Sequence, residues 1–438
     1  MPERVLWGII FCSLVATLAY AFIYRIQPLV DAQAYDAIAL NLLSGCGFKE
    51  VCEQSFVFDT AIIRAGPGYE FFLAGVYALF GHSYAAVWVV QAILHAATAG
   101  LVFLIGRRLF SEGGIVIGLV AAASIGFHPD LIEASAMLLT ETLYLFLTTL
   151  TIWFFVRAYE LPGSWRWAGG LGFVAGLAIL SRPPVFLFVP IILVAYALRK
   201  NFFSAAVFIC VLGAVLAPWT LRNYHHFKTF IPTTLVGGYN IWIGNTLQSN
   251  GGQISGGFNP VTTYSEANGF LNFKQKANQE FKSFLLEHPL SFIKLSLIRT
   301  IRYFSLIRPM GFWFYQQGLS QAIFVALSGV AIAFLFMFGF IGLPVLWRVG
   351  TRQHRYLAVM AFSSIIVLLP TVVQSRYRFQ IYPLLAIFAA YIVVNRKKIW
   401  SEQRRIVLVV SGFLTVVSII DVFAFWSVIV SHLKVLGL

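Results

Sequence analysis

The sequence is a succession of apolar runs, most of them long enough to cross a bilayer as helices, separated by short segments rich in Lys and Arg. A chain of 438 residues that is 59% hydrophobic and only 11% charged carries more apolar surface than a soluble domain of that length buries within itself. Lipid must therefore be its solvent. The runs lack the alternation of an outer-membrane barrel, so the expected class is an all-α polytopic membrane protein. Spans are expected near 5–24, 83–106, 114–128, 134–156, 167–181, 183–198, 203–220, 320–347, 356–373, 379–395 and 406–430, about eleven in all. Val5 to Tyr24 is long for a signal-peptide core, and no small-x-small site follows in Arg25-Ile26-Gln27-Pro28, so this segment is expected to be retained.

Two stretches do not read as spans: the first loop, 25–81, and a polar-aromatic region from Leu221 to about Ser320. They divide the chain into a membrane core with its first outer loop (1–220), an outer loop region (221–319) and a C-terminal set of spans (320–438). With the amino terminus inside, Arg107-Arg108, Arg157, Arg166, Arg199-Lys200, Arg348, Arg352, Arg355 and the basic residues from Arg396 to Arg405 all fall on the cytoplasmic side. The plasma (inner) membrane is the expected location, and both long loops then face outward. Arg64, Arg182, Arg222, Arg376 and Arg378 share that outer side, where the positive-inside bias gives no reason for them. Within the outer regions, Ala32–Leu43 and Pro289–Ile307 have the spacing of interfacial helices, while Gly251-Gly252, Gly256-Gly257 and Asn259-Pro260 mark turns. The net charge of +14 sits at span ends rather than in a basic domain, which points to lipid head groups and phosphate and away from nucleic acid. Cys46 and Cys52 share one outer loop, where a bridge and two inert thiols are equally open readings.

The first loop reads DAQAYDAIALNLLSGCGF and then RAGPGYEFFLAGVYALFG, holding Asp31, Tyr35, Asn41, Gly45 and Gly47, then Arg64, Pro67 and Tyr69. In that order these residues resemble the first outer loop of the GT-C superfamily of membrane glycosyltransferases. The nearest group contains the dolichyl-phosphate-mannose protein mannosyltransferases and the aminoarabinose transferases acting on lipid A. Gly66 and Gly68 depart from its bulkier residues. Further matches keep the family order: HPDLIEASAMLLTETLYLFL, GLAILSRPPVFLFVP with Ser181 in place of Thr, PWTLRNYHHFKTFIPTTLVGGYNIWIGN, and SRYRFQIYPLLAIFAA. The resemblance runs from about residue 31 to 390. It implies a GT-C fold with interfacial helices in the outer loops, a polyprenyl-phosphate-linked sugar as donor and an inverting single displacement. The enzyme would be a hexosyl- or pentosyltransferase whose acceptor is a glycan, a lipid or a protein.

A sugar leaving a polyprenyl phosphate departs from an anion that needs charge stabilisation rather than a general acid. The acceptor gains acidity as it attacks, and one carboxylate takes its proton. The family pattern puts that carboxylate at Asp31, four residues before Tyr35; on local grounds Asp31 also reads as a helix N-cap. Asp36 is the competing base, with a solvated loop role as the simpler reading for it and for Asp59. Arg64, Arg182, Arg222, Arg376 and Arg378 are the candidates for the phosphate, because guanidinium forks match its oxygens. Arg376 and Arg378 converge on one head group if the turn holding them is extended; otherwise they snorkel at a span end.

Tyr35, Tyr69, Glu141 and Asn245 are expected in support. Glu141 lies two to three turns inside the fourth span and requires a counter-ion there, with Arg182 the first candidate. A divalent metal is the cofactor for which candidates exist, namely His128, Asp130 and Glu133, although HPDLIE also reads as an ordinary helix start. Tyr239, Trp242, Tyr264, Trp313 and Tyr315 suit sugar faces or an interfacial aromatic belt equally well. Two other classes fit the same spans: a transporter or flippase of an anionic or lipid-linked substrate, and a polysaccharide polymerase or ligase. Charges gathered at one face, rather than at mid-membrane repeat interfaces, favour surface chemistry over transport.

Overall fold

The protein is described here from a computed structural model covering residues 2–252, 259–306, 315–316, 318–424, 426 and 430. Gly256-Gly257, Trp313 and Ile307 lie outside the described residues. Among those residues the structure is helical throughout, with no strand. Seven helices are long and apolar enough to cross a membrane: Pro2–Tyr24, Tyr84–Leu109, Glu141–Glu160, Phe202–Phe227, Gly318–Val349, Ser375–Val394 and Arg396–Ala424. An eighth exists if Gly114–Gly126 and Pro129–Ser135, bent by 54°, form one span. Trp165–Ser181 and Arg352–Leu368 have 17 residues each, and Pro183–Leu198 is shorter still. Among the described residues each expected span coincides with helix over most of its length, but the expected number of eleven is not confirmed.

The largest departure lies between 126 and 141. Pro129 opens a new short helix, where its missing N–H is no loss, and residues 136–140 break the chain again before Glu141. Glu141 is therefore the first residue of its helix rather than two to three turns inside a span.

The first loop is built to hold its own shape. Asp31–Leu43 forms a helix, and Gly45 and Gly47 follow at φ 85° and 82°, a region that side-chain-bearing residues rarely adopt. Cys46 and Cys52 form a disulfide across the next turn. Closing so small a loop constrains the unfolded chain by about 2 kcal/mol. Cys46→Ser/Cys52→Ser is accordingly expected to lower the melting temperature by only a few degrees and to speed hydrogen exchange across residues 45–61. Buried Asp59 accepts from the backbone N–H groups of Glu50, Val51 and Ala61 at 2.9 Å each, fastening this loop to the Thr60–Ile63 turn. Asp36 receives the hydroxyls of Tyr77 (2.6 Å) and Tyr84 (2.9 Å) and faces His82 at 3.0 Å. Neither Asp is a solvated loop residue; both are structural ties.

Gly66 and Gly68 have a steric origin. A Cβ on Gly66 would lie 2.2 Å from the Leu180 carbonyl oxygen, and one on Gly68 would lie 2.7 Å from Ser181 Oγ. The helix Pro67–Phe80 therefore starts in backbone contact with the end of Trp165–Ser181, which brings Arg64 and Arg182 to the same place. The Pro-Trp-x-x-Arg-Asn segment has an equally local task. Trp219 Nε1 and Asn223 Nδ2 both donate to the Thr233 carbonyl, at 2.6 and 2.9 Å, folding the chain back after Phe202–Phe227. That helix continues seven residues beyond the boundary expected at 220.

Candidate active site

Asp31 is the first residue of the Asp31–Leu43 helix, and its side chain does not cap it. Its carboxylate accepts from Arg376 Nη2 at 2.8 Å and from Arg64 Nη1 at 3.4 Å. Val30, immediately before it, holds φ 51°, a conformation that strains a β-branched residue by about 1–3 kcal/mol. The strain is taken up at the point that turns Asp31 towards the arginines.

Each arginine has a second carboxylate behind it. Arg64, which closes the Thr60–Ile63 turn, forks onto Glu50 with Nη2 2.8 Å from both carboxylate oxygens. Arg182 follows the Trp165–Ser181 helix and donates to Glu141 at 2.9 Å. Arg376 lies in the 3₁₀ turn Ser375–Ile381, with Nε 2.7 Å from Gln374 Oε1 and 3.6 Å from Glu141 Oε1. The result is an alternating chain, Glu50–Arg64–Asp31–Arg376–Glu141–Arg182, which draws the two ends of the protein together. Glu141 has the Arg182 counter-ion expected of it and gains Arg376 as well.

Asp31, Arg64, Arg182 and Arg376 line one cavity of about 500 Å³, together with Tyr35 and Tyr377. Glu50 and Glu141 lie behind that lining, so among the described residues the cavity sees three guanidinium groups and one carboxylate on this side. Burial pushes the Asp31 carboxyl up, but Arg376, Arg64 and Arg182 together outweigh it and hold the group below its usual range. At rest Asp31 is an ionised but weak base.

The other expected residues lie elsewhere. Arg378 donates to the backbone carbonyls of Tyr303 (3.2 Å) and Ser305 (2.7 Å), with its guanidinium over Phe336. It cannot share a head group with Arg376 because the segment is 3₁₀ rather than extended; at three residues per turn, positions two apart face different ways. Arg222 packs over Phe56 and Trp219 and donates to the Phe48 carbonyl, outside the cavity. Asn245 bonds the Pro370 carbonyl at 2.7 Å and accepts from buried Arg299. Tyr69 stands behind Tyr35, edge-on at 5.5 Å between ring centres, and donates to Gln91. Trp242 is core, packed on Tyr264 and Phe273, whereas Tyr239 lines the cavity.

His128, Asp130 and Glu133 lie outside the cavity lining. Asp130 accepts from Ser328 at 2.5 Å, Glu133 from Tyr20 at 2.9 Å, and His128 Nδ1 is 3.9 Å from Asp130. Among the described residues no three His, Cys, Asp or Glu side chains gather as a metal would need. A cation does not fit the arginine-lined cavity either, since both Asp31 oxygens already face guanidinium groups.

Sequence reasoning missed Glu50 and Gln374, which orient Arg64 and Arg376. It also missed Glu70, fully buried in the Pro67–Phe80 helix with no hydrogen-bond partner for either carboxyl oxygen. At 14 residues this helix is too short to cross the bilayer. Burial pushes the Glu70 carboxyl up to about 8, opposed by the Arg64 charge. The folded state therefore keeps a proton that the unfolded chain releases near its ordinary value of 4.5, so stability falls as pH rises between these two values and is level above. Glu70→Gln is expected to stabilise the protein at pH 7 by on the order of 3 kcal/mol, with no gain below pH ~4.5. Thermal unfolding across pH checks this; a gain independent of pH would rule it out.

The fold is shared with known membrane proteins. ArnT from Cupriavidus metallidurans bound to undecaprenyl phosphate superposes with a TM-score of 0.54 at 13% identity, over 98% of this chain and 71% of that one. The Archaeoglobus fulgidus oligosaccharyltransferase in complex with Zn and sulfate gives 0.53 at 14% identity, over 96% of this chain. The same organism's AglB with an inhibitory peptide and a dolichol-phosphate gives 0.53 at 13%, over 98% of this chain. This chain spans only about half the length of the oligosaccharyltransferase, 52% and 55% in the two complexes. No curated protein sequence matches it. The architecture is thus the fold that these solved structures share, in keeping with the fold that the motifs implied. Residues 64–220 match the family model of dolichyl-phosphate-mannose-protein mannosyltransferases.

Proposed function

We propose that this multi-pass membrane protein is a glycosyltransferase that moves one sugar, a hexose or pentose, from a polyprenyl phosphate to an acceptor on the extracytoplasmic face. The carrying observation is the cavity in which the carboxylate of Asp31 faces Arg64, Arg182 and Arg376. An arginine-lined recess suits a phosphate that becomes more negative as its sugar leaves. The Cys46–Cys52 bridge and the basic cytoplasmic loops support the outward orientation.

In the proposed reaction the acceptor hydroxyl oxygen attacks the anomeric carbon as the bond from that carbon to the phosphate oxygen breaks. The bonding pair goes to the phosphate, where Arg376, Arg64 and Arg182 stabilise it, and the hydroxyl proton goes to Asp31. A single displacement inverts the anomeric centre. The resting ion pairs give the sequence of events: an arriving phosphate competes with Asp31 for Arg376 and Arg64. Once they turn to it, the carboxylate recovers basicity, so the donor binds before the acceptor can be deprotonated. Glu50 and Glu141 keep the guanidinium groups in place throughout.

Titration of the purified protein with a sugar-free polyprenyl monophosphate tests this reading. Arg376→Ala is expected to weaken binding by about 10- to 100-fold, the range of a charge-assisted hydrogen bond. Arg222→Ala, outside the cavity, is expected to stay within about twofold. Equal effects of the two substitutions, or none from Arg376→Ala, would remove the phosphate from this cavity.

A further inference from the structure

The remaining lining of the cavity differs in chemistry from its arginine side. It comes from the disulfide-braced loop, the helix Val236–Gly244 and the helix Pro260–Asn268, and sets the polar groups of Gln54, Thr60, Asn240, Thr262 and Ser265 and the ring of Tyr239 among apolar Phe58, Ile63, Val236 and Val261. Among the described residues its one charged side chain is that of Glu266, which is solvent-exposed. From these residues we infer that this side of the cavity is the acceptor subsite and that it takes a neutral, hydroxyl-rich carbohydrate; the inference rests on the glycosyltransferase reading above.

The hydrogen-bond inventory gives the class of ligand. Among the described residues the side-chain amides of Gln54 and Asn240 have no hydrogen-bond partner, so each offers both a donor and an acceptor. Thr60 gives its proton to Glu50 at 2.6 Å, and Ser265 gives its proton to the Thr262 carbonyl at 3.1 Å, which leaves both hydroxyl oxygens as acceptors. The Tyr239 oxygen accepts from Asn259 at 3.2 Å, which leaves its O–H to donate and fixes its ring. Donors and acceptors so interleaved match sugar hydroxyls, which are themselves both donor and acceptor, and the Tyr239 ring suits the C–H face of a pyranose.

The same inventory argues against other acceptors. A phosphorylated acceptor finds no cation among the described residues on this side and meets exposed Glu266. An acyl chain or an apolar peptide segment would leave the two free amides buried without partners, at about 1–3 kcal/mol for each unsatisfied group. The cavity, about 500 Å³, lies in the range of small-molecule sites.

The test uses the full-length enzyme in lipid nanodiscs with a polyprenyl-phosphate sugar that it consumes. Two rates are measured: release of sugar to water without acceptor, and transfer to neutral oligosaccharides, to Ser/Thr peptides and to phosphorylated glycans. Neutral oligosaccharides are expected to be the best acceptors. Asn240→Ala and Thr262→Ala, at half-buried and exposed positions, are expected to lower the ratio of transfer to release by at least about fivefold, through acceptor KM. An unchanged ratio, with both rates falling together, would place the donor sugar on this side and overturn the inference. Preference for peptides or phosphorylated glycans would overturn it too, leaving the donor reading intact. Failure of the wild type to consume any donor would overturn both.

Discussion

Sugar transfer by Asp31→Asn is expected to fall by about 10²- to 10⁴-fold, the range of a lost general base, while binding of polyprenyl monophosphate stays as tight or tightens. The two effects have opposite signs because Asp31 plays two parts. It is the proposed proton acceptor, and at rest it is also the anion that occupies Arg376 and Arg64, at 2.8 and 3.4 Å. The neutral amide removes the base and the competitor in one step. A merely structural Asp31 would give parallel losses of binding, stability and rate. Measuring the dissociation constant and the turnover of the same preparation separates these outcomes.

The second large effect is expected at Arg376, the group placed between two carboxylates. Arg376→Ala should lower transfer by about 10²- to 10³-fold, the range for removing one stabilising donor from a developing anion. It should also lower the melting temperature, because Asp31 loses its shortest partner and buried Glu141 loses one of its two guanidinium partners. The double variant Arg376→Ala/Asp31→Asn removes the stranded charge, so stability should return towards wild type while transfer stays lost. Arg376→Lys keeps the charge without the planar fork and is expected to retain stability better than activity. Recovery of transfer in the double variant would contradict both the base role assigned to Asp31 and the phosphate contact assigned to Arg376.

Much of the frame was legible because its signal is additive: a long apolar run becomes a helix whatever its neighbours do. The number of spans was not, because it turns on local breaks such as Pro129 and residues 136–140, which moved Glu141 from mid-span to a helix start. Asp31, Arg64, Arg182 and Arg376 were expected to share one side of the membrane, and they share one cavity. Arg378 departs from them because sequence does not distinguish a 3₁₀ turn from an extended one, and one turn type changes which way a side chain faces. Arg222 and Asn245 belong to a segment that reads as functional, yet their partners are an aromatic stack and buried Arg299. Glu50 had no signal: it is one acidic residue in a short loop, and only the folded chain brings it 2.8 Å from Arg64.

Incubation of the wild-type protein with a panel of polyprenyl-monophosphate sugars, followed by analysis of the lipid products, addresses the proposed activity most directly. The expected result is loss of the sugar from at least one donor, with intact polyprenyl monophosphate as the product and no such loss by Asp31→Asn. A panel left unconsumed, with labelled lipid instead crossing the bilayer equally in wild type and Asp31→Asn, would contradict a glycosyltransferase and favour a transporter.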